Sequence, residues 1–147
     1  MQDKAILLYE WRQLRLKLKK ELKQTTLQEI VNWWKTFPYS ANGFNYDDVT
    51  TFPDVWEYIS EGFYTNSGNG LGCFYTAYHS HPDKNPELWL ILDLTQQGEI
   101  YLVAYVDGYV LNRKNGKVDK YEEVKGDIDI MERMTYEDIE PHLKDRK

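Results

Sequence analysis

Cys73 is the only thiol in the chain. A cysteine becomes a strong nucleophile when its pKa falls, and the free N–H groups at a helix N-terminus lower it. Cys73 follows Gly70, Leu71 and Gly72 and falls about one turn into a helix that the spacing starts near Asn69. Such a nucleophile needs a base. His79 lies six residues on, about 240 degrees around the same helix, so it does not face the thiol. His81 reaches the thiol only if the following loop folds back. Cys73 with His81 is thus the one catalytic pair the sequence offers, and no third group orients it. Read without chemistry, a lone cysteine packs as a small buried hydrophobe, and that is the stronger reading.

His79, His81 and Asp83 alternate, and in an extended segment alternate side chains point the same way. Imidazole and carboxylate ligands would suit zinc, but the local set has three ligands where a structural site has four, with only His142 left to complete it. Two histidines in a surface turn need no metal. Gly68, Gly70 and Gly72 are spaced like a phosphate-cradling loop, yet no lysine or metal-binding hydroxyl accompanies them. They read as turn and close-packing residues. Asp47, Asp48, Asp54, Glu57 and Glu61 could include an acid/base pair, but nothing selects two of them. Asp54 and Glu57 suit the first turn of a helix instead. No cofactor and no metal are expected.

The charge is unevenly spread. Residues 1–24 hold 7 Lys or Arg against 3 Asp or Glu, while the whole 147-residue chain carries −6, so the remainder carries −10. Residues 36–83 contain no Lys or Arg, six Asp or Glu and 12 aromatics. That acidic, aromatic middle repels nucleic acid and favours a basic partner. Its loop residues Tyr39, Phe44, Tyr46, Asp47 and Asp48, with Trp56 beyond them, are the candidate binding residues. Exposed Tyr or Trp ringed by acids would form a hot spot. The partner is a protein with a basic surface, or a second copy meeting this face with its basic first helix. Direct nucleic-acid binding has only that helix in its favour.

One cysteine excludes an intrachain disulfide and fits a reducing cytoplasm. Apolar runs such as residues 88–92 are far too short to span a bilayer, and no signal peptide is visible. The expectation is a cytoplasmic protein with no membrane partner.

The elements that must position these residues follow from hydrophobic spacing. Leu7, Trp11, Leu14, Leu18 and Leu22 predict a helix over residues 4–23. Thr26 and Glu29 form a capping-box pattern for a second helix ending before Pro38. Residues 39–50 read as a loop, with turn formers at Asn42 and Gly43. Thr51 and Asp54 predict the cap of a third helix closed by Gly62, and a fourth runs to about His79. From Glu87 the period changes to two. Strands follow at residues 88–93, 99–106 and 109–112, with an edge strand over 118–124. Asp107 and Gly108 make a two-residue hairpin turn. Thr135 and Asp138 cap a last helix, and the chain from Lys144 onward is expected to fray. The prediction is a single α+β domain over residues 1–147, with N-terminal helices packed on a C-terminal antiparallel meander of three or four strands.

Two resemblances extend this reading. A cysteine at a helix start, followed by antiparallel strands, resembles papain-like and transglutaminase-like enzymes over residues 68–106. Those families place a histidine on a following strand, and here none occurs between His81 and His142, so the resemblance implies at most a degenerate cysteine hydrolase or transferase. Trp33 and Trp34, then Thr51, Phe52, Pro53, Asp54, Val55, Trp56 and Glu57, then Leu71, Gly72, Cys73, Phe74, Tyr75 and Thr76, resemble small uncharacterised proteins of tailed bacteriophages. That likeness covers residues 30–106 and brings no activity. It implies a small protein acting in the cytoplasm of an infected bacterium or during particle assembly. The favoured expectation is a non-enzymatic interaction or assembly factor.

Overall fold

The computed structural model describes residues 3–38, 44–61, 65–114 and 116–144. Tyr39, the turn at Asn42 and Gly43, the helix stop at Gly62 and the last three residues lie outside them. The architecture is α+β, with N-terminal helices packed against a C-terminal open antiparallel sheet.

Helix α1 spans Lys4–Lys20. Asp3 caps it, its carboxylate accepting from the Ala5 N–H at 2.9 Å, and Lys17, Lys19 and Lys20 sit in the last turn, where cations suit the helix dipole. It stops a turn before the expected end, because the chain turns extended at Glu21 to start α2, Gln24–Trp34. The Thr26–Glu29 capping box therefore does not form. Thr26 is buried within α2, and Glu29 instead pairs with Lys17 at 2.8 Å.

Helix α3 spans Val55–Glu61. Its cap is Asp54, three residues later than the predicted Thr51. The Glu57 N–H donates to Asp54 Oδ1 at 2.7 Å and the Asp54 N–H to Glu57 Oε1 at 3.1 Å, a reciprocal capping box. Thr51 instead closes the preceding 3-10 turn, Val49–Thr51.

Helix α4, Asn66–Ser80, starts three residues earlier than the spacing suggests. Thr65 caps it by accepting from the Gly68 N–H at 2.9 Å, so all three glycines lie inside the helix. Glycine weakens a helix interior; here it leaves space. A Cβ on Gly70 would overlap the Leu102 carbonyl, and one on Gly72 would enter the Trp34 ring. Helix α4 thus lies directly on the sheet with α1, α2 and α3 around it.

The strands are β1 Glu87–Asp93, β2 Glu99–Val106, β3 Tyr109–Arg113 and β4 Lys117–Lys120, then β5 Ile128–Met134 after the short helix α5, Tyr121–Val124. Helix α6, Tyr136–Lys144, follows. Strands β1 to β4 form the expected meander, except that the edge strand stops at Lys120 and residues 121–124, expected to extend it, are helical. The fifth strand was not anticipated; it returns to pair with β1, giving the order β4-β3-β2-β1-β5. Its pairing is interrupted by a bulge opposite Leu90 and Ile91, which breaks the alternation that sequence reading depends on.

Both sheet edges are protected. At β4, the Gln28 amide donates to the Gly116 carbonyl at 2.7 Å and accepts from the Val118 N–H at 3.2 Å, while Gln24 donates to the Val118 carbonyl at 2.9 Å. At β5, the bulge and the exposed Asp129, Glu132 and Arg133 discourage strand addition.

The face of the sheet toward the helices buries Leu88, Leu90, Leu102, Ala104, Val106 and Leu111. In that layer the Trp11 and Trp34 indoles both donate to Thr76 Oγ1, at 2.8 and 3.0 Å, and the Thr76 hydroxyl donates to the Gly72 carbonyl at 2.8 Å. The opposite face has a smaller core of Trp89, Ile91, Tyr101, Val103 and Val110 under Val124 and Ile128. Beside it, buried Asp93 accepts from the Tyr101 hydroxyl at 2.6 Å and from the Thr95 hydroxyl at 2.7 Å. Arg113, also buried, lies 4.0 Å from Asp93, 3.5 Å from Asp119 and 3.4 Å from Asp127. Burial raises the pKa of Asp93, but the Tyr101 and Thr95 hydrogen bonds and the Arg113 charge outweigh it and hold this carboxyl below its ordinary range.

The β2–β3 hairpin has the predicted two-residue turn. Val106 pairs with Tyr109, and both Asp107 (φ 51) and Gly108 (φ 87) are left-handed, as a type I′ turn requires. Gly108→Val places a β-branched residue at that φ and is expected to destabilise the fold by about 1–3 kcal/mol. A denaturant midpoint that does not move would refute the turn's role.

Candidate interaction surface

The structure brings part of the acidic segment against the C-terminal elements. Tyr46, Asp47, Asp48, Val49 and Phe52 face Glu132, Arg133, Met134 and Asp138 across a groove of 490 Å3. Buried Phe52 and Met134 and half-buried Tyr46 and Val49 supply an apolar part. Four carboxylates against one guanidinium make its field negative.

Local hydrogen bonds fix two of these acids. Asp48 caps the 3-10 turn, accepting from the Thr50 hydroxyl at 2.6 Å and the Thr50 N–H at 3.1 Å. Those bonds hold the Asp48 carboxyl below its ordinary range, so it remains an anion at neutral pH. Asp138 caps α6 by accepting from the Thr135 N–H at 2.9 Å, as the sequence predicts. Phe44 packs edge-on against Phe52 at 4.9 Å and so holds the loop to the body. Arg133 lies over the Trp89 ring, 5.0 Å from its centre.

Trp56 is half exposed but is not part of the groove lining. It sits edge-on against Trp11 at 5.2 Å, with His79 at 6.5 Å. His79 also meets Tyr136 at 5.9 Å, and Tyr136 stacks on Tyr78 at 4.0 Å. Burial and the Arg15 charge hold His79 below its ordinary range and hence neutral. The aromatic middle is mostly core: Phe37, Phe52, Tyr58, Phe74 and Tyr75 are buried, Phe44, Tyr46 and Tyr78 half-buried, and only Trp56 is exposed among its described aromatics. The aromatic surface is therefore narrower than composition implied.

The other candidates find structural employment. Cys73 is fully buried, and burial alone raises its thiol, with no charge or hydrogen bond offsetting it. It lies about two turns into α4, away from the helix start that was to activate it. His81 Nε2 is 2.7 Å from the Leu18 carbonyl. A carbonyl only accepts, so this nitrogen carries the proton, and His81 satisfies one of the open carbonyls in the last turn of α1. With Cys73 inside the core and His81 bound to α1, the structure does not bring the proposed catalytic pair into service. His79, His81 and Asp83 do not converge either; among the described residues no three His, Cys, Asp or Glu side chains are placed to hold a metal ion. No helix among the described residues is long and apolar enough to cross a membrane.

Sequence reading missed the outer face of α1. Ile6, Tyr9 and Leu16 are 50%, 64% and 47% exposed. Their spacing, with Gln13 between, puts them on one line opposite the buried stripe of Leu7, Trp11 and Leu18. Arg12, Lys19 and Lys20 are exposed beside that line. No family model and no curated protein matches this chain. The described surface carries two distinct faces, one acidic and one basic, each with an apolar centre.

Proposed function

We propose that this chain is a non-enzymatic interaction or assembly factor whose acidic groove receives a basic, partly apolar segment of a protein partner. The observation carrying this reading is the groove itself, where Tyr46, Asp47 and Asp48 meet Glu132 and Asp138 around buried Phe52 and Met134. Apolar contact supplies affinity in such a site, while charge sets orientation and the rate of encounter. The burial of Cys73 gives no support to the alternative of a cysteine hydrolase or transferase. The resemblance to small proteins of tailed bacteriophages supplies a setting, the cytoplasm of an infected bacterium or the assembly of a particle.

The test uses a synthetic peptide of Lys and Leu, with a Glu and Leu peptide as control. The basic peptide is expected to bind and to weaken as salt rises, because exposed charges are screened over roughly 10 Å at 0.1 M. Changing Asp47→Lys and Asp48→Lys together is expected to weaken it about tenfold or more. Equal binding of the two peptides, or indifference to the charge reversal in a variant of unchanged circular dichroism, would sink the reading.

A further inference from the structure

We infer that the groove's occupant is a second copy of this chain, docked head to tail through the outer face of α1. The inference rests on the acidic groove being a docking site, as proposed above. The outer line of α1 from Ile6 to Leu16 extends about 15 Å. It offers three exposed apolar side chains flanked by Arg12, Lys19 and Lys20. The one acid of α1, Glu10, is engaged elsewhere, accepting from the Trp33 indole at 3.0 Å. Lys17 is paired with Glu29 at 2.8 Å. The cations beside the exposed line are thus Arg12, Lys19 and Lys20, and no ion pair among the described residues involves them. The groove presents the complement, with four carboxylates around an apolar part.

The charge pattern also selects the geometry. Two α1 faces brought together by a twofold axis would set Arg12, Lys19 and Lys20 against their own kind. Two grooves would oppose carboxylate to carboxylate. Only the unlike pairing, helix face to groove, matches sign, and where two copies make it once the contact is heterologous. Such a pair keeps one free helix face and one free groove, so association continues into chains or a ring.

Sedimentation equilibrium tests this. The wild-type protein at low salt is expected to rise in average mass with concentration and to return toward monomer at high salt. A helix variant, Tyr9→Ser with Leu16→Ser, and a groove variant, Asp47→Lys with Asp48→Lys, are each expected to stay monomeric. Both pairs are on the surface, and circular dichroism confirms folding. Mixed in equal amounts they are expected to form a dimer and stop there, since the groove variant still has its helix face and the helix variant still has its groove. A monomeric wild-type protein at every salt, a helix variant that associates like wild type, or a mixture that stays monomeric would overturn the inference. The peptide experiment separates the two failures. If the Lys and Leu peptide still binds, the groove accepts another partner and only self-association is lost.

Discussion

Thr76→Val should destabilise the fold by about 2–6 kcal/mol, although it exchanges side chains of nearly the same shape. The threonine hydroxyl has one proton and two lone pairs, and all three are used: it accepts from the Trp11 and Trp34 indoles and donates to the Gly72 carbonyl. Valine strands two indole N–H groups in the centre of the helical layer. Each buried donor without a partner costs about 1–3 kcal/mol, and water cannot reach either tryptophan, since both are fully buried. Thr76→Ser keeps the hydroxyl and removes one methyl, so it should cost only about 1 kcal/mol. Denaturant melts of the two variants measure the difference. A valine variant no less stable than the serine variant would remove Thr76 from its place as the joint between α1, α2 and α4.

Arg113→Met is expected to cost about 3–5 kcal/mol, the usual consequence of leaving a buried charge without its partner. Arg113 is 4% exposed and Asp93 is fully buried. With the guanidinium gone, Asp93 retains the Tyr101 and Thr95 hydrogen bonds but loses the one cation paired with it among the described residues. The pH dependence follows in sign. Asp93 titrates below its unfolded value, so its contribution is present above about pH 4 and is lost as pH falls through the folded pKa. Removing Arg113 raises that folded pKa, and acid unfolding should begin at a higher pH than in the wild-type protein. Adding Asp93→Asn to Arg113→Met should recover part of the loss, because the carboxylate no longer has to be buried charged. Strict additivity of the two single changes would show that the pair is not coupled.

The helices and the meander were legible because their apolar spacings are regular. Leu7, Trp11 and Leu18 repeat along one helix face, and Leu88 to Asp93 alternate in a strand. The errors came where side chains serve something other than a core face. Thr26 and Glu29 look like a cap, but Gln24 is drawn into the helix, where its amide meets β4, and the start moves with it. Gly68, Gly70 and Gly72 read as turn and close-packing residues; Gly70 does pack against the Leu102 carbonyl and Gly72 against the Trp34 ring, but all three lie inside α4 rather than in a turn. Strand β5 was missed because its bulge spoils the alternation. With it went half of the groove: Asp47 and Asp48 were named, whereas Glu132 and Asp138 reach them only by way of that strand. The outer face of α1 was hidden by its neighbours. Leu7, Leu8 and Leu14 stand between Ile6, Tyr9 and Leu16, and six basic residues made the remainder look like an ordinary wet surface.

The glutamines along β4 set how any assembly of this chain can behave. Growth by adding strands meets two side-chain amides already occupying the backbone positions at one end of the sheet, and a bulged, charged strand at the other. Copies of the folded chain are thereby steered toward laying one surface on another, without exchanging backbone bonds. Assemblies of that kind come apart on dilution or in brine, and their subunits leave with the fold they brought. Material lost to irreversible fibres should therefore come from unfolded molecules rather than from native ones.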